Sequence, residues 1–202
     1  LMNPPFGAGT AQGNEYADHS FPQSKQDLAA CFVARMTALC ADSGFVGVIS
    51  TRTAFFLSTL GDWREHVLRK CRAIQLFADL GYKVLDAVVE TAAYCLTRKS
   101  NKAATFIDML DSTRKEEELR AVVSSSPAGT ESRIYIVDTN EIAKLKGCPT
   151  LYWSPSTLLR RFRLARTMEP SEGVVKRGMA TGDNFRFLRL WTEVPRASIG
   201  VE

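Results

Sequence analysis

The chain has 202 residues, of which 45% are hydrophobic and 24% charged, and its formal net charge is +4. That length suits one domain with a substantial core, or a domain with a smaller appendage, and the composition is that of an ordinary soluble globular protein. No apolar run reaches the ~20 residues needed to span a bilayer, and the N-terminus lacks a basic-then-apolar signal pattern, so a membrane partner is excluded and the cytoplasm is the expected compartment.

The chain opens with Leu1-Met2-Asn3-Pro4-Pro5-Phe6-Gly7. A residue before proline is pushed out of the α region, and both Asn3 and Pro4 precede one, so an extended, stiff loop is predicted. Neither proline carries an N–H. The loop therefore offers mainly acceptors, the Asn3 side-chain oxygen and the Pro4 carbonyl, which is what an exocyclic amino group needs to be held and polarised. Phe6 adds a flat apolar face on which a base could stack. A Pro-Pro turn beside an aromatic also serves as an ordinary loop, and the rest of the chain has to decide.

Residues 7–21 are rich in Gly, Ala, Thr and Asn without periodicity and read as a mobile, lid-like loop. Ser24-Lys25-Gln26-Asp27 forms a capping-box pattern, Ser24 as N-cap and Asp27 at N3. Leu28, Cys31, Phe32, Met36 and Leu39 follow at helical spacing, and Gly44 ends the segment. Phe45 to Ile49 is a short continuous apolar run that suits a buried parallel strand. Asp62, with Glu65 as box partner, caps a second helix with Trp63, Val67 and Cys71 as its buried stripe. Residues 73–77 and 88–96 read as strands around the turn-prone Gly81-Tyr82, and 105–110 extends the sheet. A charged helix is predicted over 112–123. Ser124 to Thr130 breaks the composition and is the best internal boundary, dividing 1–123 from 124–202. A strand over 133–137 and helices over 139–145 and 156–165 complete the pattern, which is α/β.

Five scattered cysteines without a Cys-x-x-Cys pair argue against a disulfide framework or zinc site and read as small buried hydrophobes. His19 and His66 are too few for a metal centre or a histidine-based triad. Arg160, Arg161, Arg163 and Arg166, with Lys176, Arg177, Arg186, Arg189 and Arg196 beyond, are interleaved with Phe162, Phe185, Phe187 and Trp191. Such a run forms a solvated helix face or a phosphate-contacting surface.

The order of features is more specific than any one of them. Asn3-Pro4-Pro5-Phe6, then Ser24 to Leu28, Phe45 to Ser50, Thr53-Ala54-Phe55-Phe56-Leu57, Glu90-Thr91-Ala92-Ala93-Tyr94, Leu151-Tyr152-Trp153-Ser154 and Gly178 to Trp191 follow one another over nearly the whole chain. This order resembles adenine-N6 DNA methyltransferases fused to their own recognition domain, the type IIG restriction-modification enzymes and above all the PglX family of BREX phage-defence systems.

The resemblance implies the C-terminal half of a class I (Rossmann-like) methyltransferase sheet, followed by a mixed α+β extension that leads to a target-recognition domain. Residues 1–123 would be the C-terminal part of the catalytic domain, and 124–202 a connector and the start of the recognition region. It implies S-adenosylmethionine as methyl donor, double-stranded DNA as substrate, and other defence-system subunits as partners. The target adenine would be flipped from the duplex. Phe6 would then stack on it, while Asn3 and Pro4 accept its N6 hydrogens in a direct transfer that needs no metal.

Several residues carry two readings. Asp27 would line the cofactor pocket or only complete a helix cap, the cap being favoured. Thr91 and Tyr94 would lie near the target base or pack the core. Thr181 and Arg186 would contact DNA, or belong to a turn built by Gly182-Asp183-Asn184.

One departure matters. No glycine-rich loop precedes Asn3, where only Leu1 and Met2 stand, and Gly7-Ala8-Gly9 is a weak substitute. The chain is thus expected to hold the catalytic and substrate half without most of the cofactor half, and to be inactive in isolation. Two other functions stay open: a truncated chain that only binds DNA or a partner, and a methyltransferase acting on protein or RNA amino groups.

Overall fold

The structure is a computed structural model. It describes every residue except 8, 26, 72, 86–87, 99–102, 125–132, 167–171, 175–181 and 199–202. Two compact units emerge, Leu1–Leu164 and Ala165–Glu202.

The first unit is built on five strands: β1 (Phe45–Thr51), β2 (Ala73–Gly81), β3 (Thr91–Thr97), β4 (Ala103–Asp108) and β5 (Ile134–Asp138). They form one mixed sheet in the order β1-β3-β2-β4-β5. β3 lies antiparallel between β1 and β2, β4 is parallel to β2, and β5 is antiparallel to β4. Beyond the outer edge of β1, Met2 adds a parallel bridge to Val48. The sheet crosses residue 124 without interruption of its ladder, because β5 pairs with β4 from Ala103↔Asp138 to Ile107↔Ile134.

The two faces bury different side chains. Val46, Val48, Tyr94, Leu96, Ile74, Phe77, Ala104 and Phe106 share one core with Ala30, Val33, Phe55, Trp63, Val67 and Ile142. A bulge between Ile74 and Leu76 shifts the alternation of β2, which lets Ile74 and Phe77 face the same side. Ala78, Leu80, Ile107 and Met109 form the second core with Val122.

Helices cover these faces. α1 (Ala11–Ser20) starts where the Thr10 side chain accepts from the Gly13 N–H. α2 (Leu28–Leu39) packs on the first face, tied to the next helix by the Trp63 indole N–H donating to the Ala30 carbonyl at 3.1 Å. α3 begins at Gly61–Trp63 and widens into a π-helical stretch at Arg64–Cys71. α4 (Lys115–Ser124), α5 (Thr139–Ala143) and α6 (Ser156–Leu164) follow.

Four expectations change. Residues 7–21 hold a helix, α1, whose described side chains bury only Ala17; with no apolar stripe to dock, the segment has no helical periodicity. Asp27, not Ser24, is the N-cap of α2: its carboxylate accepts from Ala30 N at 2.8 Å, while Ser24 is buried before the helix begins. β1 is half-buried, with alternating burial, and its strand partner β3 runs antiparallel, so its run of apolar residues did not indicate parallel pairing. The helix after Leu60 has no side-chain cap from Asp62.

In the second unit, α7 (Asn184–Phe187) is preceded by Gly182 at φ 67, and the Asp183 carboxylate accepts from Arg186 N at 3.0 Å. Arg189 donates to the Phe185 and Leu188 carbonyls, both at 2.9 Å.

Candidate active site

Ligand sites in α/β sheets lie outside the carboxyl ends of the parallel strands. β1, β2 and β4 run in one direction and end at Thr51, Gly81 and Asp108 on one edge of the sheet. The opening loop reaches the same edge. Met2 donates to the Gly47 carbonyl at 2.9 Å and accepts from Ile49 N at 3.1 Å, so the chain enters parallel to β1 and releases Asn3 at the carboxyl end.

Asn3 is exposed, Pro4 buried, Pro5 exposed and Phe6 partly buried. Pro4 thus anchors the loop while its neighbours face outward. Among the described residues, no hydrogen bond engages the Asn3 side chain. Gly7 follows at φ 104, a left-handed turn that glycine makes without strain. Asn3 also sits at the mouth of an open apolar trough of about 640 Å³, lined by Leu1, Ile49, Ala93 and Cys95.

At the same end of the strands is a network absent from the sequence reading. The Arg52 guanidinium, immediately beyond β1, meets the Asp79 carboxylate at 2.7 Å and the Glu90 carboxylate at 3.3 Å. Asp79 has no solvent exposure, and the Tyr152 hydroxyl donates to its Oδ2 at 3.0 Å. Burial pushes the Asp79 carboxyl above the usual range, and Arg52 and Tyr152 oppose that. Tyr152 is itself pushed well up by burial and then by the Asp79 charge, so it stays a protonated donor. Arg52 also lies over the Phe56 ring, 4.6 Å from its centre. The signal that could have exposed the network is Asp79 itself, the one charged residue in the largely apolar stretch Ala73 to Gly81.

Other expected site residues are placed as follows. Asp27 spends one carboxylate oxygen on the α2 cap. The Thr91 hydroxyl donates to the Gly81 carbonyl at 3.1 Å. Tyr94 is buried against Phe55 and Phe77, its hydroxyl 3.0 Å from Ser50 Oγ, and burial raises its pKa far above that of a free phenol. Thr91 and Tyr94 therefore sit in the wall behind the edge. Thr181 lies outside the described residues. Arg186 belongs to α7 in the second unit. A polar cleft of about 1060 Å³ opens between the loop after β2 and the start of α4, with Tyr82, Lys83, Glu90 and Arg114 on its walls.

The chain is 24% identical over 203 residues to the adenine-specific methyltransferase PglX of Lacticaseibacillus casei (strain Zhang), and 25% identical over 207 residues to the adenine-specific methyltransferase BrxX of Escherichia coli O9:H4 (strain HS). Each match takes in 96% of the chain but only 17% and 16% of the respective relative, so the chain spans a small part of their length. No family model matches.

Among solved structures, the methyltransferase subunit of a type I restriction-modification system from Streptococcus thermophilus superposes with a TM-score of 0.56 at 17% identity, over 75% of this chain and 36% of that one. A modification subunit of a type I restriction enzyme from Vibrio vulnificus YJ016 gives 0.54 at 15% identity, over 69% and 33%. The type IIG restriction endonuclease BpuSI gives 0.52 at 15% identity, over 72% and 19%. The fold is that of these restriction-modification methyltransferases, part of a Rossmann-like sheet. Among the described residues no helix is long and apolar enough to cross a membrane, and no group of His, Cys, Asp and Glu could hold a metal.

Proposed function

We infer that this chain, a homologue of the adenine-specific methyltransferases PglX and BrxX, carries the catalytic loop and substrate wall of a DNA adenine-N6 methyltransferase serving in phage defence or restriction-modification. The observation that carries this reading is the Met2 bridge. It delivers Asn3-Pro4-Pro5-Phe6 to the carboxyl edge of the sheet with the Asn3 amide exposed and unengaged.

In this reading the adenine leaves the duplex and rests against Phe6. The Asn3 side-chain oxygen and the Pro4 carbonyl accept the two N6 hydrogens, which turns the nitrogen lone pair outward toward the methyl donor. A buried Pro4 fixes the backbone of the loop, so its carbonyl needs little reorganisation during the reaction. S-adenosylmethionine supplies an electrophilic methyl group. Asp27 fits part of its site: one carboxylate oxygen is committed to Ala30 N, and the other is left to accept from a donor hydroxyl or ammonium. Arg52, Asp79 and Tyr152 hold the loops that face the base.

The test is methyl transfer to duplex DNA by the full-length enzyme. Asn3→Ala is expected to lower kcat by about a hundredfold or more, the scale for loss of one preorganised polar partner. Retained activity would end the proposed role. A second reading, in which these 202 residues only bind DNA or a partner, draws on the small share of the relatives' length that the chain spans. Calorimetric titration of the chain with S-adenosylmethionine separates the two, since tight binding contradicts the second.

A further inference from the structure

Trp153 has no part in methyl transfer as derived above, yet the fold brings its segment, Leu151-Tyr152-Trp153-Ser154, to the carboxyl edge. Thr150 N donates to the Phe55 carbonyl at 3.0 Å, and the Tyr152 hydroxyl reaches Asp79. These two bonds fix the segment against the ends of β1 and β2. Trp153, between them and α6, keeps 45% of its surface exposed. Its ring lies against Phe56, with centroids 5.5 Å apart and planes tilted by 32°, and the Arg52 guanidinium also lies over the Phe56 ring. The result is a cluster of Arg52, Phe56 and Trp153 in which the indole is open to solvent.

We propose that this ledge stacks an unpaired nucleobase of the DNA substrate, distinct from the adenine at Phe6. The proposal rests on the methyltransferase reading and names a second base contact for it. The chemistry favours a base over a phosphate. Arg52 already faces Asp79 and Glu90, so its charge is compensated and the ledge presents a π surface instead of a free cation. A large aromatic ring backed by a second ring suits the flat, nearly apolar face of any base, and such stacking is sequence-tolerant. The indole is also preorganised: Tyr152 meets it edge-on at 4.9 Å and Phe56 packs beside it at 5.5 Å, so little side-chain freedom is lost on contact.

The experiment titrates the chain with two single-stranded probes of equal length, an oligothymidylate and an abasic phosphodiester oligomer, reading affinity by calorimetry and quenching by intrinsic tryptophan fluorescence. Oligothymidylate is expected to quench the emission and to bind about tenfold tighter than the abasic oligomer, which leaves the emission unchanged. W153A should bring the two affinities together, whereas W153F should keep the difference and lose the quench. The comparison of probes on the unaltered chain needs no variant to fold. Equal affinity of both probes, or an undiminished preference in W153A, overturns the ledge and leaves the methyltransferase reading to stand on Asn3. Binding of neither probe also overturns it. Loss of transfer specificity for adenine in the full-length enzyme would fail the methyltransferase reading without touching the ledge.

Discussion

Arg52 and Asp79 approach to 2.7 Å at the carboxyl edge of the sheet, yet Nε of the arginine and Oδ1 of the aspartate are both buried without a hydrogen-bond partner. The pair is thus joined through one contact, with Glu90 and Tyr152 completing the network from either side. A buried charge stripped of its partner is costly, whereas an apolar replacement of the whole pair is not. Asp79→Leu leaves Arg52 to Glu90 alone and the Tyr152 hydroxyl without its acceptor, so it is expected to cost about 1–3 kcal/mol of unfolding free energy, and Arg52→Met/Asp79→Leu to recover part of it. Urea denaturation of the two variants checks this. A double variant as unstable as the single one would show that the pair does more than balance charge.

Phe6 is only partly buried, so its ring can be truncated without opening a core. In the full-length enzyme, Phe6→Ala should reduce kcat/KM for duplex DNA by about ten- to a hundredfold, the range for loss of one stacked base, and Phe6→Tyr should retain most of the activity. Steady-state methyl-transfer rates decide the point. Equal losses in both variants would argue against stacking.

Arg64 is 1% exposed and has no carboxylate in reach among the described residues. It instead donates to the carbonyls of Gly147 at 2.7 Å, Ala54 at 2.7 Å and Leu57 at 2.8 Å. It therefore pins the segment before Thr150 to the turn after β1. Arg64→Met leaves these acceptors unpaired and should cost about 3 kcal/mol or more, since each orphaned buried group costs about 1–3 kcal/mol. Arg64→Lys should restore only part of that. A shift in the urea midpoint worth less than about 1 kcal/mol would show that water replaces the guanidinium.

Cys31 gives a pH dependence. Its thiol donates to the Ser24 carbonyl at 3.2 Å, and burial, followed by the Asp27 charge, pushes its pKa from 9.0 up to about 11. A raised folded-state pKa means that the native chain holds the proton longer than the unfolded one. The stabilisation is complete below pH 9.0 and disappears as pH rises toward about 11. The urea midpoint should accordingly fall over that window, and fall less in Cys31→Ala. An identical pH slope in both proteins would assign the loss to other groups.

Much of this architecture was legible in the sequence because packing and local pattern agree. The apolar stripe of α2, the β-branched and aromatic run of β3 and the turn at Gly81 all reappear, Gly81 at φ 62 where a side chain would be strained. α1 stayed hidden because its described residues bury almost nothing, and periodicity reports only what a helix buries. The opening loop could be read because prolines constrain the backbone on their own. Arg52, Asp79 and Tyr152 could not, since they lie 27 and 73 residues apart in sequence and only the sheet brings them together.

The strand order also sets a schedule for synthesis. β1 and β2 leave the ribosome before β3, but neither is the other's neighbour; both pair with β3, which is complete only at Thr97. Until then the edges of β1 and β2 that β3 joins stay unmatched, a period in which aggregation competes with folding. The antiparallel strand between β1 and β2 is thus the clasp of the unit, and folding speed should respond most to substitutions that alter Ala92 to Leu96.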